Sequence, residues 1–237
     1  MHLLTNELWF PPPEHASEHG IVALGGDLSA ERLVLAYSQG IFPWPHPGLP
    51  LPWFSPDPRF IIDLNQVHIG RSLRKVIRRG HFEVRADSQF QEVMRGCQAT
   101  PRPGQDGTWI TRDVIAGFSA LHNRGLAHSI ETYLDDRLVG GLYGISLGHS
   151  FCGESMFAME PDASKVATAT LLGNLKAWGF RFLDCQVYTA HLARFGAQEW
   201  PRQRFLHELR QAISQPSMLG PWQLTLGPQQ ALDILTG

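Results

Sequence analysis

Asp184 and Gln186 interrupt the apolar run Phe182-Leu183-Asp184-Cys185-Gln186-Val187. On a strand, residues two apart share a face, so this carboxylate and amide would sit side by side, with Leu183 and Cys185 pointing the other way. Polar groups inside an apolar strand are costly unless they are paired or used. Neighbouring backbone can satisfy such a pair by itself. A second interruption weakens that explanation: Glu154 lies within Phe151-Cys152-Gly153-Glu154-Ser155-Met156-Phe157, beside a glycine that admits close approach of backbone or ligand. Two acids and an amide arriving from separate buried strands look like a site with hydrogen-bonding and acid–base groups. No GxSxG nucleophile elbow accompanies them, so serine hydrolysis is poorly supported.

Other groups bear on what such a site would bind. Arg71-Ser72-Leu73-Arg74-Lys75-Val76-Ile77-Arg78-Arg79 carries five positive charges and no acid. Helical spacing puts Arg71, Arg74, Lys75 and Arg78 along one side. A run of this kind is usually a solvated face, but in a chain of net charge −2 its concentration here suggests contact with phosphates. Trp44, Trp53 and Trp109 are placed to stack on an unpaired base, or else belong to the core, the commoner fate of tryptophan. The eleven histidines and three cysteines show no HxxxH, HExxH or CxxC grouping, so no metal site is expected. The glycines of Val139-Gly140-Gly141-Leu142-Tyr143-Gly144 do not form GxGxxG and precede no helix. They are expected to mark a bulge or a surface packed against bare backbone.

The elements that must position these groups fall into two parts. Up to about residue 60 the chain is rich in proline and aromatics, from Phe10-Pro11-Pro12-Pro13 to Trp53-Phe54-Ser55-Pro56-Asp57-Pro58. Between them the pattern predicts one short helix over 29–39, with Ser29 as cap and Gly40 as stop. This reads as a small N-terminal domain, 1–60, wrapped onto a second, 61–237. There the pattern predicts strands at 60–62 and 82–86, helices over 88–97 and 111–123, and a hairpin of 127–134 and 137–145 about Asp135-Asp136. A strand at 150–156, a helix over 164–178, a strand at 182–187 and a final helix over 202–213 complete it. This order points to an α+β (mixed α/β) fold.

Composition sets the bounds. The chain has 237 residues, 43% hydrophobic and 18% charged, an ordinary globular profile with ample core. No apolar run approaches the ~20 residues of a membrane span. The N-terminus has neither a basic region nor a long apolar stretch, so no secretory signal is expected. Three unpatterned cysteines suit reduced thiols in the cytoplasm.

The chain resembles the leucyl/phenylalanyl-tRNA–protein transferases over nearly its whole length. The resemblance is carried by Gly25-Gly26-Asp27-Leu28, Gly40-Ile41-Phe42-Pro43-Trp44, Trp53-Phe54-Ser55-Pro56-Asp57-Pro58-Arg59, Thr108-Trp109-Ile110-Thr111 and His128-Ser129-Ile130-Glu131. It continues through Val139 to Gly144, Phe151 to Phe157, Ala163-Ser164-Lys165 and Asp184-Cys185-Gln186. It implies a C-terminal domain similar to the GNAT acyltransferases. The implied activity is transfer of Leu or Phe, less readily Met, from tRNA to proteins beginning with Arg or Lys, marking them for degradation. Carried over by motif, Trp44 and Trp109 would sandwich the terminal adenine of the tRNA. Leu142, Phe151, Leu171 and Leu183 would line the aminoacyl pocket, and Glu154, Asp184 and Gln186 would form the reaction centre. No cofactor is implied, and a monomer is the default. Two positions depart from the family pattern: Phe118 stands where tyrosine is common, and Gly70 replaces a serine before the basic helix. An acetyl-CoA-dependent enzyme would need a glycine-bearing loop before the 164–178 helix, and Ala158-Met159-Glu160-Pro161-Asp162-Ala163 has none. A non-catalytic tRNA-binding module would leave Glu154, Asp184 and Gln186 without a purpose.

An ester donor is already activated, and an α-amine has a reference pKa of roughly 7.7–8.0. Such a reaction needs positioning, a proton acceptor and charge stabilisation more than a strong base. In one reading the Gln186 carbonyl receives the amine, Asp184 polarises that amide, and Glu154 holds Gln186 or meets a charged amine. In the other, Asp184 only binds the cationic N-terminal residue of the acceptor, and the tRNA's own hydroxyl shuttles the protons.

Overall fold

The computed structural model describes residues 2–46, 48–101 and 108–237. Pro47 of the proline-rich turn and Gly107 beside Trp109 lie outside them. The N-terminal part holds β1 (His2–Leu4), β2 (Ile21–Gly25), α1 (Ala30–Ser38), β3 (Phe42–Pro43) and β4 (Pro52–Phe54). The Ser29 hydroxyl caps α1 by accepting from the Arg32 N–H, as predicted. The four strands form a sheet in the order β1-β2-β4-β3, which the sequence pattern did not predict. Its strands are two to five residues long and too short to show alternation.

The rest comprises β5 (Arg59–Asp63), α2 (Arg71–Arg79), β6 (Glu83–Ala86), α3 (Phe90–Ala99), α4 (Arg112–Asn123), β7 (Ala127–Leu134), β8 (Arg137–Leu147) and β9 (Ser150–Ala158). Then come α5 (Ala163–Ala177), β10 (Phe182–Gln186), α6 (Ala190–Ala193), β11 (Gln198–Trp200), α7 (Arg202–Ile213) and α8 (Pro228–Thr236). The predicted hairpin is β7–β8, with Asp135 and Asp136 both at positive φ (50° and 58°), as a two-residue turn between right-twisted strands requires. The chain does not end at the 202–213 helix: α8 follows, begun by a proline at its first turn and short enough that Ala231, Leu232 and Leu235 alone form its apolar stripe.

One seven-stranded sheet runs β11-β5-β10-β9-β8-β7-β6. After β5 the chain crosses to the far edge, returns as the antiparallel meander β6 to β9, and passes through α5 to insert β10 between β9 and β5. The α+β class expected from the element order is therefore the observed one. Among the described residues β9 and β10 are this sheet's one parallel pair. Alternation along the strands sends Tyr143, Ile145 and Cys152 into a core shared with α1, α3 and α4. Leu142, Phe151 and Leu183 go to the opposite face, into a core shared with α2, α5 and α8. Most of α5 is buried, and its Gly173 lets α8 approach so closely that a Cβ there would lie 2.5 Å from that of Ala231. Each large apolar side chain buried this way contributes about 1.5–3 kcal/mol.

Candidate active site

The parallel pairing of β9 with β10 stops at Cys152 and Asp184. Beyond that pair β9 runs on to Ala158 while β10 ends at Gln186, so the strands part and a cavity of about 620 Å³ opens between them. Its wall draws on both faces of the sheet: Phe42, Trp44, Trp109 and Tyr143 on one, Leu142, Leu183, Cys185 and Thr168 on the other. A mostly apolar cleft with few polar groups is the usual form of a small-ligand site.

Two β-bulges flank the opening. The β8–β9 register passes from Tyr143↔Ser155 to Gly144↔Gly153, leaving Glu154 as the extra residue. Gly144 sits where a Cβ would lie 2.3 Å from the Cys152 carbonyl oxygen, so the strand glycines do mark a bulge and a close approach. The β10–β5 register passes from Asp184↔Ile61 to Gln186↔Phe60, leaving Cys185 unpaired. Bulges re-aim side chains. Simple alternation therefore stops at Cys185, and Gln186 adopts the left-handed conformation (φ 65°), uncommon for a residue with a side chain.

The three polar residues do converge, though not as equals. The Gln186 side-chain amide donates to Glu154 Oε1 at 2.8 Å and to Cys152 Sγ at 3.3 Å. Those donations fix the amide's orientation and leave its carbonyl oxygen without a hydrogen-bond donor among the described residues. Glu154 Oε1 also accepts from the Tyr37 hydroxyl at 2.6 Å, whereas its Oε2 has no protein partner there. Both Glu154 and Gln186 line the cavity. Burial pushes the Glu154 carboxyl up to about 7; the Tyr37 hydrogen bond opposes this and the nearby Asp184 charge reinforces it.

Asp184 stands behind this pair. It is 3% exposed and off the cavity wall. Arg59 Nε and Nη2 donate to its two oxygens at 2.8 and 2.7 Å. The reading in which Asp184 meets the acceptor's cation puts that cation where the protein already holds Arg59. The Cys152 thiol, raised well above its ordinary pKa by burial, touches Asp184 Oδ2 at 3.5 Å.

The remaining candidates divide. Trp44 and Trp109, both half-buried, line the cavity; Trp53 is fully buried, with Nε1 bound to the Gly25 carbonyl, and is core. Leu142 and Leu183 reach the wall, while Phe151 and Leu171 are fully buried in the packed layer beside it. Arg71, Arg74, Lys75 and Arg78 all lie on α2, away from the cavity wall, and form no ion pair among the described residues. Gly70 is the N-cap of α2 and supplies no side-chain bond, and Phe118 packs edge-on against the Tyr37 ring. Sequence reasoning missed Tyr37, Arg59 and Cys152. For Arg59 a signal existed: a cation heading the apolar strand Arg59-Phe60-Ile61-Ile62 demands a buried partner.

Comparison with known proteins decides the family. The sequence profile of the leucyl/phenylalanyl-tRNA protein transferases matches residues 61–210, and that of the family's N-terminal domain matches 26–57. The chain belongs to this family. A leucyl/phenylalanyl-tRNA–protein transferase of Myxococcus xanthus is 54% identical over 90% of this chain and 91% of its own. One from Anaeromyxobacter is 48% identical over 98% of both. A solved structure of L-PGS from Bacillus licheniformis aligns with 73% of this chain and 57% of its own, at 11% identity and a TM-score of 0.38. As a leucyl/phenylalanyl-tRNA–protein transferase the chain is an aminoacyltransferase, with aminoacyl-tRNA as donor and protein as acceptor. Among the described residues no helix is long and apolar enough to cross a membrane.

Proposed function

We propose that this transferase moves Leu or Phe, and less readily Met, onto the N-terminal α-amine of proteins beginning with Arg or Lys, marking them for degradation. It acts in the cytoplasm as a monomer, with residues 1–60 as a small domain docked on the catalytic domain 61–237. The observation that carries this reading is that Glu154 is the one carboxylate on the cavity wall among the described residues, adjoining the undonated carbonyl of Gln186.

The terminal adenine of the tRNA stacks at Trp44 and Trp109, and the backbone phosphates meet the cations of α2. The aminoacyl side chain enters the apolar wall at Leu142 and Leu183, backed by Phe151 and Leu171. An apolar wall rejects polar side chains, which lose solvation without gaining partners, yet separates Leu from Phe only weakly. The acceptor amine is oriented by the Gln186 carbonyl. Its nitrogen attacks the ester carbon; a C–N bond forms and the C–O bond to the ribose breaks. The proton leaving nitrogen passes to Glu154 and then to the departing ribose oxygen. With a pKa near that of the amine, Glu154 suits both transfers. Its negative charge also favours cationic acceptor residues over acidic ones.

Transfer of radiolabelled leucine from Leu-tRNA to a protein beginning with Arg, beside the same protein beginning with Met, tests the acceptor rule. Label on the Arg protein alone is expected. Equal label on both removes the rule, and no label on either, with tRNA still bound, removes the activity.

A further inference from the structure

Resting on the assignment of Gln186 and Glu154 to the reaction centre, we propose that Arg59 is a positioning residue for aminoacyl transfer, acting through Asp184 to hold Gln186 in its left-handed turn. The Asp184 carboxylate is already held by the protein's own N–H donors. Oδ1 accepts from Arg59 Nε at 2.8 Å and from the Gln186 backbone N–H at 2.9 Å. Oδ2 accepts from Arg59 Nη2 at 2.7 Å, while the one Cys152 S–H lies within reach of both Asp184 Oδ2 at 3.5 Å and Glu154 Oε1 at 3.7 Å. Three N–H donors thus occupy most of the roughly four lone-pair positions of the carboxylate. Asp184 is buried and not on the cavity wall, so a substrate does not meet it directly. Its work is to anchor the Gln186 N–H at the point where β10 leaves its regular conformation. A side-chain-bearing residue at positive φ is strained and persists only where its surroundings fix it.

Arg59 in turn fixes Asp184. It is 1% exposed, and its guanidinium lies 4.8 Å from the ring centre of Phe42 and 4.6 Å from that of Phe205. Its Nη1 donates to the Gly40 carbonyl at 3.2 Å. The planar fork is what lets one side chain grip both carboxylate oxygens while facing rings; an ammonium has no such geometry. Gly40 and Phe42 belong to the segment that leads directly to Trp44. One cation thus ties the arm bearing the proposed adenine site to the turn that aims the Gln186 amide at Glu154.

A purely structural ion pair would affect stability alone. The test is Arg59→Lys, read in two ways. Protein selectively ¹⁵N-labelled at glutamine should show slow solvent exchange for the Gln186 side-chain amide protons in the wild type, lost in Arg59→Lys. Single-turnover Leu transfer should slow about 10²-fold, the scale of misplacing a reacting group by an ångström, with the KM values for Leu-tRNA and acceptor unchanged. An undisturbed amide, an unchanged rate, or a loss confined to KM overturns the proposal. Should Arg59→Lys fail to fold, Arg59→Met with Asp184→Leu replaces the pair by apolar groups, an exchange that proteins often tolerate. That double variant should fold and turn over slowly, and wild-type turnover from it also overturns the proposal. A wild-type protein that protects the amide yet transfers nothing refutes the functional reading instead, and the amide comparison still decides the role of Arg59.

Discussion

The Tyr37 hydroxyl lies 2.6 Å from Glu154 Oε1, joining helix α1 of the N-terminal part to a carboxylate on the cavity wall. The bond donates to the charged form of Glu154 and so favours it, against a burial that disfavours it. Tyr37→Phe should therefore raise the Glu154 pKa above its value of about 7. Transfer should slow most below pH 7 and recover towards the wild-type rate at higher pH. The rate profile of Tyr37→Phe beside wild type checks this, and an unmoved midpoint contradicts it. Loss of a hydrogen bond to a charged group should also cost about 1.5–3 kcal/mol of stability.

Glu154 should leave a mark on stability as well. Its carboxyl is raised from 4.5 to about 7 in the folded protein, so the folded state binds more protons than the unfolded chain between those values. Stability from this group is fully present below pH 4.5 and is lost as pH rises through 7. The melting temperature of Glu154→Gln, measured from pH 5 to pH 8, should gain on that of wild type as pH increases. A constant difference between the two contradicts the shift.

The tryptophans should separate by role. Trp53 is fully buried, and Trp53→Ala should cost about 3–5 kcal/mol of stability. Trp44→Ala and Trp109→Ala should cost far less stability but weaken binding of an adenosine-terminated oligonucleotide by about 1–3 kcal/mol each. Thermal melts with competition binding resolve the two effects.

The charged side of α2 should act on tRNA affinity alone. Changing Arg71, Lys75 and Arg78 to Gln should flatten the dependence of log affinity on log salt by about 0.7–0.9 for each phosphate no longer neutralised. The rate at saturating Leu-tRNA should stay unchanged. An unaltered salt slope would leave these residues as a solvated face.

Much of the second part of the fold was legible because its elements are long enough to show a period. The 11-residue β8 and 15-residue α5 announce themselves, and Asp135-Asp136 marks the turn between β7 and β8. The N-terminal sheet was not legible, since strands such as Phe42–Pro43 are set by tertiary packing and no pattern of two residues can predict them. At the site, the apolar surroundings of Asp184, Gln186 and Glu154 exposed them as anomalies. Their division of labour was hidden because it depends on two bulges and on the partner of Asp184, Arg59, which lies 125 residues earlier in the chain. Tyr37 was hidden more fully: it lies on the apolar face of α1 with Leu33, where a tyrosine needs no further explanation.

The central claim is that Glu154 takes the proton from the attacking amine, and the pH dependence of single-turnover Leu transfer to an Arg-initiated peptide tests it most directly. In wild type two groups must lose protons, Glu154 near 7 and the amine at roughly 7.7–8.0, so log rate should climb with a slope approaching about 2 below both values. Glu154→Gln removes one of them: its slope should fall to about 1, and its rate by about 10²-fold or more. Parallel profiles of equal slope in the two proteins would contradict the account.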